Sequence, residues 1–212
     1  MSALAFAVEG ARGEPYAAAP TIVLDVRVTE STGTPIAAIA LRTQVRLEPQ
    51  RRRYDGGESV RLEELFGEPR RYGETLRSML WMHVASTVTA FREATTFTLP
   101  LTASYDFDVA ANKYLSGLAG GVIPLALHFS GMVFVEHAGG VSTEMVPWAC
   151  EAAYALPVSV WRDAVDACFP NAAWLRVQRE LFDDLREFRS AQRLTSWDAT
   201  LARLLALAKV ER

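Results

Sequence analysis

Hydrophobic and polar residues alternate along much of the chain up to residue 155, which is typical of β-strands with one buried face. The clearest run is 39–47, with apolar residues and Thr43 at its odd positions and small or polar residues at its even ones. Similar patterns predict further strands at residues 4–8, 22–28, 97–101 and 105–109, a long apolar run predicts one at 123–135, and residues 141–155 resemble a last strand. Residues 76–91 fit the alternation only in part, and their β-branched content favours a strand. Gly131 interrupts the long apolar run of residues 123–135 and is expected to mark a bulge.

The periodicity changes to that of helices after residue 156. Pro157 suits the first position of a helix, and Ser196 is expected to cap the last one. Two apolar stripes recur at helical spacing: Val158, Trp161, Val165 and Cys168, then Trp174, Val177, Leu181, Leu185 and Phe188. We expect the second stripe to be buried against the sheet or the neighbouring helices, and the alternative is an exposed docking face.

The order of these elements predicts an α+β fold. About eight short strands indicate an antiparallel β-sandwich or a curved sheet, followed by a C-terminal helical segment of about three helices. Earlier in the chain, residues 60–66 are expected to form only one or two helical turns. We therefore divide the chain into a β-rich domain, residues 1–155, and a helical segment, residues 156–212, packed on it as one folding unit.

The composition narrows the classes of function. The chain has 212 residues, half of them hydrophobic, and a net charge of -3. This near balance of charge gives no general attraction to nucleic acid or to an anionic membrane. No basic and apolar signal peptide begins the chain, and no apolar stretch reaches the ~18 residues of a membrane helix. Two cysteines are too few for a disulfide framework, so we expect a cytoplasmic protein.

The motif search predicts no catalytic residue, no metal site and no cofactor. The sequence contains no GxSxG, HExxH, Walker A, GxGxxG or CxxC pattern. His83, His128 and His137 are not spaced as metal ligands, and we expect them in the core or on strand faces. Both cysteines, Cys150 and Cys168, are expected to be inert thiols in apolar surroundings.

A pair of carboxylates, Asp106 and Asp108, shares one face of the strand predicted at residues 105–109. Such a pair can serve acid–base chemistry or bind a metal ion, but it also describes the solvated face of an ordinary strand. The second interpretation is the simpler one, because apolar residues occupy the opposite face.

The residues most suggestive of binding combine arginine with tyrosine. We call them the arginine cluster, which consists of Arg42, Gln44, Arg46, Arg51, Arg52, Arg53, Tyr54, Arg70, Arg71 and Tyr72. Guanidinium and phenol groups suit phosphate, carboxylate or acidic protein surfaces. The alternatives are charges that are solvated or paired internally, and a nucleic-acid surface, which nearby glutamates would partly neutralise. Most of the five tryptophans are expected in the core.

Several segments resemble a bacterial, mainly actinobacterial, domain family of unknown function. They span residues 41–54, 65–81, 105–114, 124–134 and 157–174. Genes of that family are often found near nickel–iron hydrogenase gene clusters, so the resemblance implies an accessory or assembly role. It does not imply hydrogenase chemistry, because nickel–iron ligation needs CxxC pairs and this chain has none.

The leading hypothesis is a non-catalytic accessory or assembly protein that binds another protein, such as a hydrogenase subunit or maturation factor. The alternatives are a β-sandwich domain that binds a small molecule or a peptide, and an enzyme with an unrecognised site. An exposed surface that combines an aromatic residue with arginine would favour the first, a deep apolar pocket the second, and convergent polar residues in a cleft the third.

Overall fold

The computed structural model describes residues 3–103, 109–170 and 177–210. The chain divides into two compact units, residues 1–173 and residues 174–212. Within the described ranges the first unit contains eight strands: β1 (Leu4–Gly13), β2 (Thr21–Glu30), β3 (Ile36–Leu47), β4 (Met79–Val88), β5 (Ala94–Thr102), β6 (Val122–His137), β7 (Gly140–Met145) and β8 (Glu151–Pro157).

All the strand pairs are antiparallel and form two sheets. The first sheet has the order β1-β2-β5. The second has the order β4-β3-β6-β7, and β8 pairs with the first half of β6. The expectation of an α+β fold with antiparallel sheets is confirmed at this level.

The alternation seen in the sequence builds a core that the two sheets share. Ile22, Leu24 and Val26 on β2 are fully buried, as are Ile39 and Val45 on β3. Burial of each such side chain contributes about 1.5–3 kcal/mol. The rings of Phe6 on β1 and Phe129 on β6 stack with centroids 4.2 Å apart and so join the sheets. Because the sheets face each other across this core, the architecture agrees loosely with a sandwich.

Helices also occur between the strands, where the sequence indicated only one or two turns. The first unit contains α1 (Gly56–Phe66), α2 (Tyr72–Thr75), α3 (Ala110–Gly117) and α4 (Val158–Cys168). Asp55 caps α1, since its carboxylate accepts a hydrogen bond of 2.7 Å from the backbone N–H of Glu58. Val109 precedes α3 instead of lying on a strand. The rest of that predicted strand, including Asp106 and Asp108, lies outside the described residues.

Helix α4, which carries the first stripe, packs on the first sheet. Trp161 and Ala164 are buried, and the backbone of α4 approaches Gly13 so closely that a Cβ there would lie 3.4 Å from Ala164. Trp161 also contacts the edge of Trp81, with ring centroids 6.2 Å apart.

The prediction of a single strand over residues 141–155 is wrong, because this segment forms two strands. Strand β7 ends at Met145 and β8 begins at Glu151. Pro147 lies between them and has no N–H to donate to a ladder. The two strands pair with successive halves of β6, and Gly131 lies at the change of partner with a φ of 141°.

The second unit contains α5 (Arg179–Ala191) and α6 (Trp197–Val210). Ser196 caps α6 as predicted, because its Oγ accepts a hydrogen bond of 3.1 Å from the N–H of Ala199. Phe182 packs on Trp197, with centroids 5.1 Å apart. Helix α5 has no buried residue and Leu181 is 54% exposed, so α6 does not bury the second stripe. Its burial against the sheet stays a prediction. A stripe shows which face of a helix is apolar but not what covers it. Trp174 lies outside the described residues.

Candidate functional site

The outer face of the second sheet carries a row of polar side chains in register. Gln44 on the central strand β3 pairs with His83 on β4 and with His128 on β6. His128 in turn pairs with Glu151 on β8, and its Nδ1 lies 3.6 Å from the Glu151 Oε2. Directly opposed residues lie about 4.5–5.5 Å apart in Cβ terms, so the row spans four strands.

Arg42 lies on the same face of the second sheet, in the neighbouring row of cross-strand pairs. It pairs with Ser130 on β6 and with Ala85 on β4. The Ser130 hydroxyl donates to the Arg42 backbone carbonyl at 3.2 Å. The Arg42 side chain is exposed, and its guanidinium has no hydrogen bond or ion pair with any residue of the described ranges. It is therefore a cation for which the described residues provide no partner.

Trp148 projects from the connection between β7 and β8 and is 96% exposed. Three backbone hydrogen bonds of 2.9–3.0 Å fix this connection, from Val146 to Gly131, from Phe129 to Cys150 and from Cys150 to Pro147. The indole thus stands in water on an ordered turn. Trp148 is therefore not among the tryptophans that lie in the core, whereas Trp161 is buried there.

These side chains enclose a cleft of about 380 Å³. We call it the outer-face cleft, and it is lined by Arg42, Gln44, His83, His128, Phe129, Ser130 and Trp148. Guanidinium, amide, hydroxyl and imidazole groups can all donate hydrogen bonds, so the chemistry of the cleft suits a ligand that presents carboxylate or carbonyl oxygens. No group of three or more metal-binding side chains is found in the part of the chain that the structure describes.

Arg52 of the arginine cluster is paired internally. Its guanidinium donates to both Glu58 carboxylate oxygens at 2.7 and 2.8 Å and to the Val122 carbonyl at 3.0 Å. The two side chains are only 10% and 3% exposed. Glu58 also accepts from the Ala119 N–H at 2.7 Å. This ion pair joins α1 to the loop before β6, which is a structural role.

Arg51 lies near a second carboxylate, that of the buried Glu48, which Arg46 reaches only through Ser78. Ser78 donates to Glu48 at 2.6 Å and accepts from the Arg46 Nε at 2.7 Å. The Arg51 Nε lies 3.9 Å from the Glu48 carboxylate. These contacts hold the Arg46 side chain at the end of the sheet. Arg46 nevertheless lies on the same strand face as Arg42.

The two tyrosines of the arginine cluster belong to an aromatic group around α1 and α3. The Tyr54 hydroxyl donates to the Pro49 carbonyl at 2.7 Å and lies 3.0 Å from the Tyr114 hydroxyl. Burial, together with the Tyr114 contact, raises the pKa of Tyr54, and burial also raises the pKa of Tyr114. Tyr72 contacts the Tyr54 ring edge-on at 5.7 Å.

The remaining members lie on the surface away from the outer-face cleft. Arg70 pairs with Glu68, while Arg53 and Arg71 are exposed. Of the ten residues, the structure brings only Arg42 and Gln44 into the cleft.

Sequence reasoning did not assign His83, His128, Ser130 or Trp148 to a site. Period-two alternation places the histidines on outward faces, but only the register shows that both flank Gln44. The sequence indicated the position of Trp148 only through Pro147, because this proline ends the pairing of β7 and turns the next residue outward.

One further pair of reactive groups lies on the hairpin between β6 and β7. The His137 Nε2 and the Ser142 Oγ are 2.6 Å apart, and both residues are exposed. A nucleophilic serine also needs a group that orients the histidine and donors for an oxyanion. Among the contacts of the described residues, none holds the second ring nitrogen of His137.

Solved structures with partial likeness are all distant. A Bordetella pertussis protein that carries the name ApaA is 14% identical, with a TM-score of 0.34 over 74% of this chain and 95% of that one. The CARDB domain of a Pyrococcus furiosus protein, solved with di-metal ions, is 10% identical, with a TM-score of 0.28 over 74% and 92%. A β-glucosidase from Kluyveromyces marxianus is 8% identical, with a TM-score of 0.28 over 73% of this chain and 15% of that one. At such scores the likeness supports no assignment of fold family or activity.

No curated protein matches the chain significantly. No helix of the described residues is long and apolar enough to cross a membrane. The sequence model of the family DUF6084, a family of unknown function, matches residues 1–212, and the chain belongs to this family.

Proposed function

We propose that the protein is a non-catalytic accessory protein that binds another protein through the outer-face cleft. The observation that carries this proposal is the 96% exposure of Trp148 beside Arg42, whose guanidinium has no partner among the described residues. Tryptophan and arginine are the residues most enriched in the energetic centres of protein interfaces. A fully hydrated indole on an ordered turn is unfavourable in isolation, and a partner that covers it would recover the free energy of its burial.

The composition of the cleft indicates the chemistry of the partner. Arg42 can bind a carboxylate with two parallel hydrogen bonds, and Gln44 can bind a backbone amide or a carboxamide. Met132 and Met145 form a cross-strand pair on the outer face and are 40% and 68% exposed. Methionine adapts its shape to different apolar surfaces. We therefore propose a partner segment that presents an acidic side chain next to apolar ones.

The family resemblance gives the first partners to test. Domains that resemble residues 41–54 and 65–81 are encoded near genes for nickel–iron hydrogenases and their maturation factors. We propose that such a hydrogenase subunit or maturation factor is the protein bound, with this chain in an assembly role.

The experiment compares partner binding by the parent chain and by two cleft variants, Trp148→Ala and Arg42→Glu. Candidate hydrogenase subunits and maturation factors are purified and titrated against each chain. We expect each substitution to weaken binding by at least about 2 kcal/mol, roughly thirtyfold in Kd, because both side chains lie at the centre of the proposed interface.

Two matched controls separate the cleft from general surface effects. Tyr16→Ala removes another aromatic side chain, which is 95% exposed, and Arg53→Glu reverses another exposed arginine. Both should bind the partner like the parent. All four variants should melt within a few degrees of the parent, since their side chains lie at the surface. Binding that is unchanged in Trp148→Ala and Arg42→Glu would remove the cleft from the interface.

The volume of the cleft also falls within the range of about 300–1,000 Å³ that small ligands occupy. Such sites enclose most of the ligand surface, whereas Trp148 extends into water. A protein segment that covers the indole from outside therefore fits better than a small molecule bound beneath it.

A further inference from the structure

Strand β4 lies at an edge of the second sheet, with β3 as its one neighbour among the described strands. The Glu48 N–H donates to the Pro124 carbonyl at 2.9 Å, in register with the pairing of β3 and β6, so even-numbered residues of β3 bond to β6. Odd-numbered residues of β3 therefore bond to β4, where they pair with even-numbered residues. His83, Ala85 and Thr87 consequently direct their N–H and C=O groups away from the sheet. In the described part of the chain, no backbone group pairs with them on that side.

The other strand edges in the described ranges carry features that hinder pairing with a further strand. Strand β1 has a bulge between Val8 and Gly10, and β5 contains Pro100. Strands β7 and β8 are only six and seven residues long. Strand β4 has ten residues, and beyond its bulge at Trp81 it contains no proline, acidic residue, lysine or arginine. An edge of this kind is a template for a further strand.

The described chain has no strand of its own left to add at this edge. All eight described strands already belong to the two sheets, and after β8 the described residues form α4, α5, α6 and short connections. The backbone groups of a helix bond within the helix, so α5 and α6 cannot complete the hydrogen bonds of an edge strand. An extended segment of another chain can complete them.

The side chains beside the edge indicate which segment fits. On the outer face, Ala85 pairs with Arg42, whose guanidinium has no partner among the described residues. On an added strand, the residue opposite Ala85 would lie two strand spacings, roughly 10 Å in Cα terms, from Arg42. Because Ala85 has only a methyl group, the long side chains of Arg42 and of a glutamate on the added strand can meet above it. The glutamate would then form charge-assisted hydrogen bonds with Arg42.

A second copy of the chain fits this edge less well. If two β4 strands pair antiparallel about Ala85, the two Arg42 side chains face each other with only two alanines between them. Strand β4 contains no acidic residue that could separate these charges. Like charges on one face of a sheet are unfavourable. The outer face therefore favours an acidic segment over a second β4.

We propose that β4 binds an extended segment of the partner protein as an additional antiparallel strand, with an acidic side chain opposite Ala85. This inference rests on the proposed function, because it concerns how the same partner reaches Arg42. The backbone hydrogen bonds to His83, Ala85 and Thr87 give affinity, and the acidic side chain gives specificity. The rest of the partner extends over the outer-face cleft to Trp148.

The test uses a synthetic peptide of about nine residues, which is within the usual length of a strand. Threonine alternates with valine, glutamate replaces the central threonine, and a flexible glycine–serine tail keeps the peptide soluble. Titration of the isotope-labelled full chain should shift the amide resonances of His83, Ala85 and Thr87 most strongly. A peptide with lysine in place of glutamate should bind the parent about tenfold more weakly, and Arg42→Glu should reverse this preference.

Two proline substitutions test pairing through the backbone. Ala85→Pro removes an N–H that points away from β3, so the fold should remain while peptide binding weakens about tenfold or more. Thr98→Pro on β5 is the matched control, because the Thr98 N–H also points away from the neighbouring strand, as position 100 does, where proline is already accommodated. It should bind the peptide like the parent.

A change in the peptide keeps the test decisive if Ala85→Pro unfolds. Methylation of the glutamate backbone nitrogen removes the hydrogen bond to the Ala85 carbonyl and should weaken binding about tenfold or more. Methylation of a neighbouring valine nitrogen, which faces away from β4, should weaken binding much less.

Three results would overturn the proposal. The first is no peptide binding at low millimolar concentration, and the second is binding that methylation of the glutamate nitrogen does not weaken. The third is a dimer of the free chain that Ala85→Pro abolishes, because a second copy would then occupy the edge. The peptide titration does not depend on which protein is the partner, whereas the titrations with Trp148→Ala test the proposed function, so the two can fail separately.

Discussion

At the scale of single residues, the neighbours of a charged side chain decide its role. Arg42 and Arg52 belong to the same stretch of sequence, but Arg52 binds the buried Glu58, whereas Arg42 is exposed and has no partner among the described residues. A buried ion pair that loses one member costs about 3–5 kcal/mol, while an exposed pair contributes about 0–1 kcal/mol. Reversal of the Arg42 charge therefore reports on binding, and reversal of the Arg52 charge would report mainly on folding.

Glu30, at the end of β2, is a buried carboxylate that organises the turn before β3. It accepts hydrogen bonds from the Thr32 hydroxyl at 2.6 Å, from the Ala3 N–H at 3.0 Å and from the Thr34 N–H at 2.9 Å. Burial raises the pKa of Glu30, but the hydrogen bonds from Thr32, Ala3 and Thr34 outweigh it and lower the pKa below its ordinary value.

The sign of this shift predicts how stability depends on pH. Because the folded pKa is lower than the unfolded one, the ionised carboxylate stabilises the fold fully above the unfolded pKa of about 4.3. That contribution is lost as the pH falls through the folded pKa. We expect Glu30→Gln to cost about 1–3 kcal/mol at neutral pH and clearly less near pH 3.

Urea unfolding of the parent and of Glu30→Gln at both pH values measures this difference. Glu74→Gln, at an exposed residue of α2, is the control and should show no such dependence. An equal difference at both pH values would contradict the role given to the Glu30 carboxylate.

At the scale of elements, β6 organises the second sheet. It pairs with β3 along most of its length, with β8 over its first half and with β7 over its second half. The change of partner leaves room for the connection that carries Trp148. Gly131 permits the backbone conformation at this point, because its φ of 141° is outside the range that other residues readily adopt. A Cβ there would also lie 2.1 Å from the Ala40 carbonyl oxygen, so glycine allows β6 to approach β3 this closely.

Gly131→Ala should therefore destabilise the protein by about 2–4 kcal/mol through backbone strain and steric overlap. Gly139→Ala is the matched control, since nothing lies within 4 Å of its Cβ position, and it should cost less than about 1 kcal/mol. Denaturant midpoints of both variants check the expectation. If Gly131→Ala unfolds like Gly139→Ala, the close approach of β6 to β3 is wrong.

At the scale of the whole molecule, the two units differ in how they are stabilised. The buried hydrophobic cluster of the described residues extends from Leu4 to Ala164 and lies entirely in the first unit. In the second unit, Phe182 and Arg189 on α5 contact Trp197 on α6. The expectation that residues 156–212 pack on the β-rich part as one folding unit stays a prediction.

Truncation tests whether the units fold independently. We expect residues 1–173 alone to unfold cooperatively, with a denaturant midpoint close to that of the main transition of the full chain, because they contain this entire core. We expect residues 174–212 alone to be poorly helical, because helices of 13 and 14 residues are marginal in water without tertiary packing. A largely unfolded 1–173 fragment would instead support a single folding unit.

The sequence alone determined the antiparallel strands, the cap of α6 at Ser196 and the burial of Trp161, because these features depend on periodicity and on local chemistry. It also placed Arg42 and Gln44 on one strand face. Tertiary structure alone decided that His83 and His128 flank Gln44, that Arg52 pairs with Glu58 and that Trp148 remains in water. The physical reason is that strand register and the pairing of distant charges depend on contacts between residues far apart in the chain, which one-dimensional spacing does not contain.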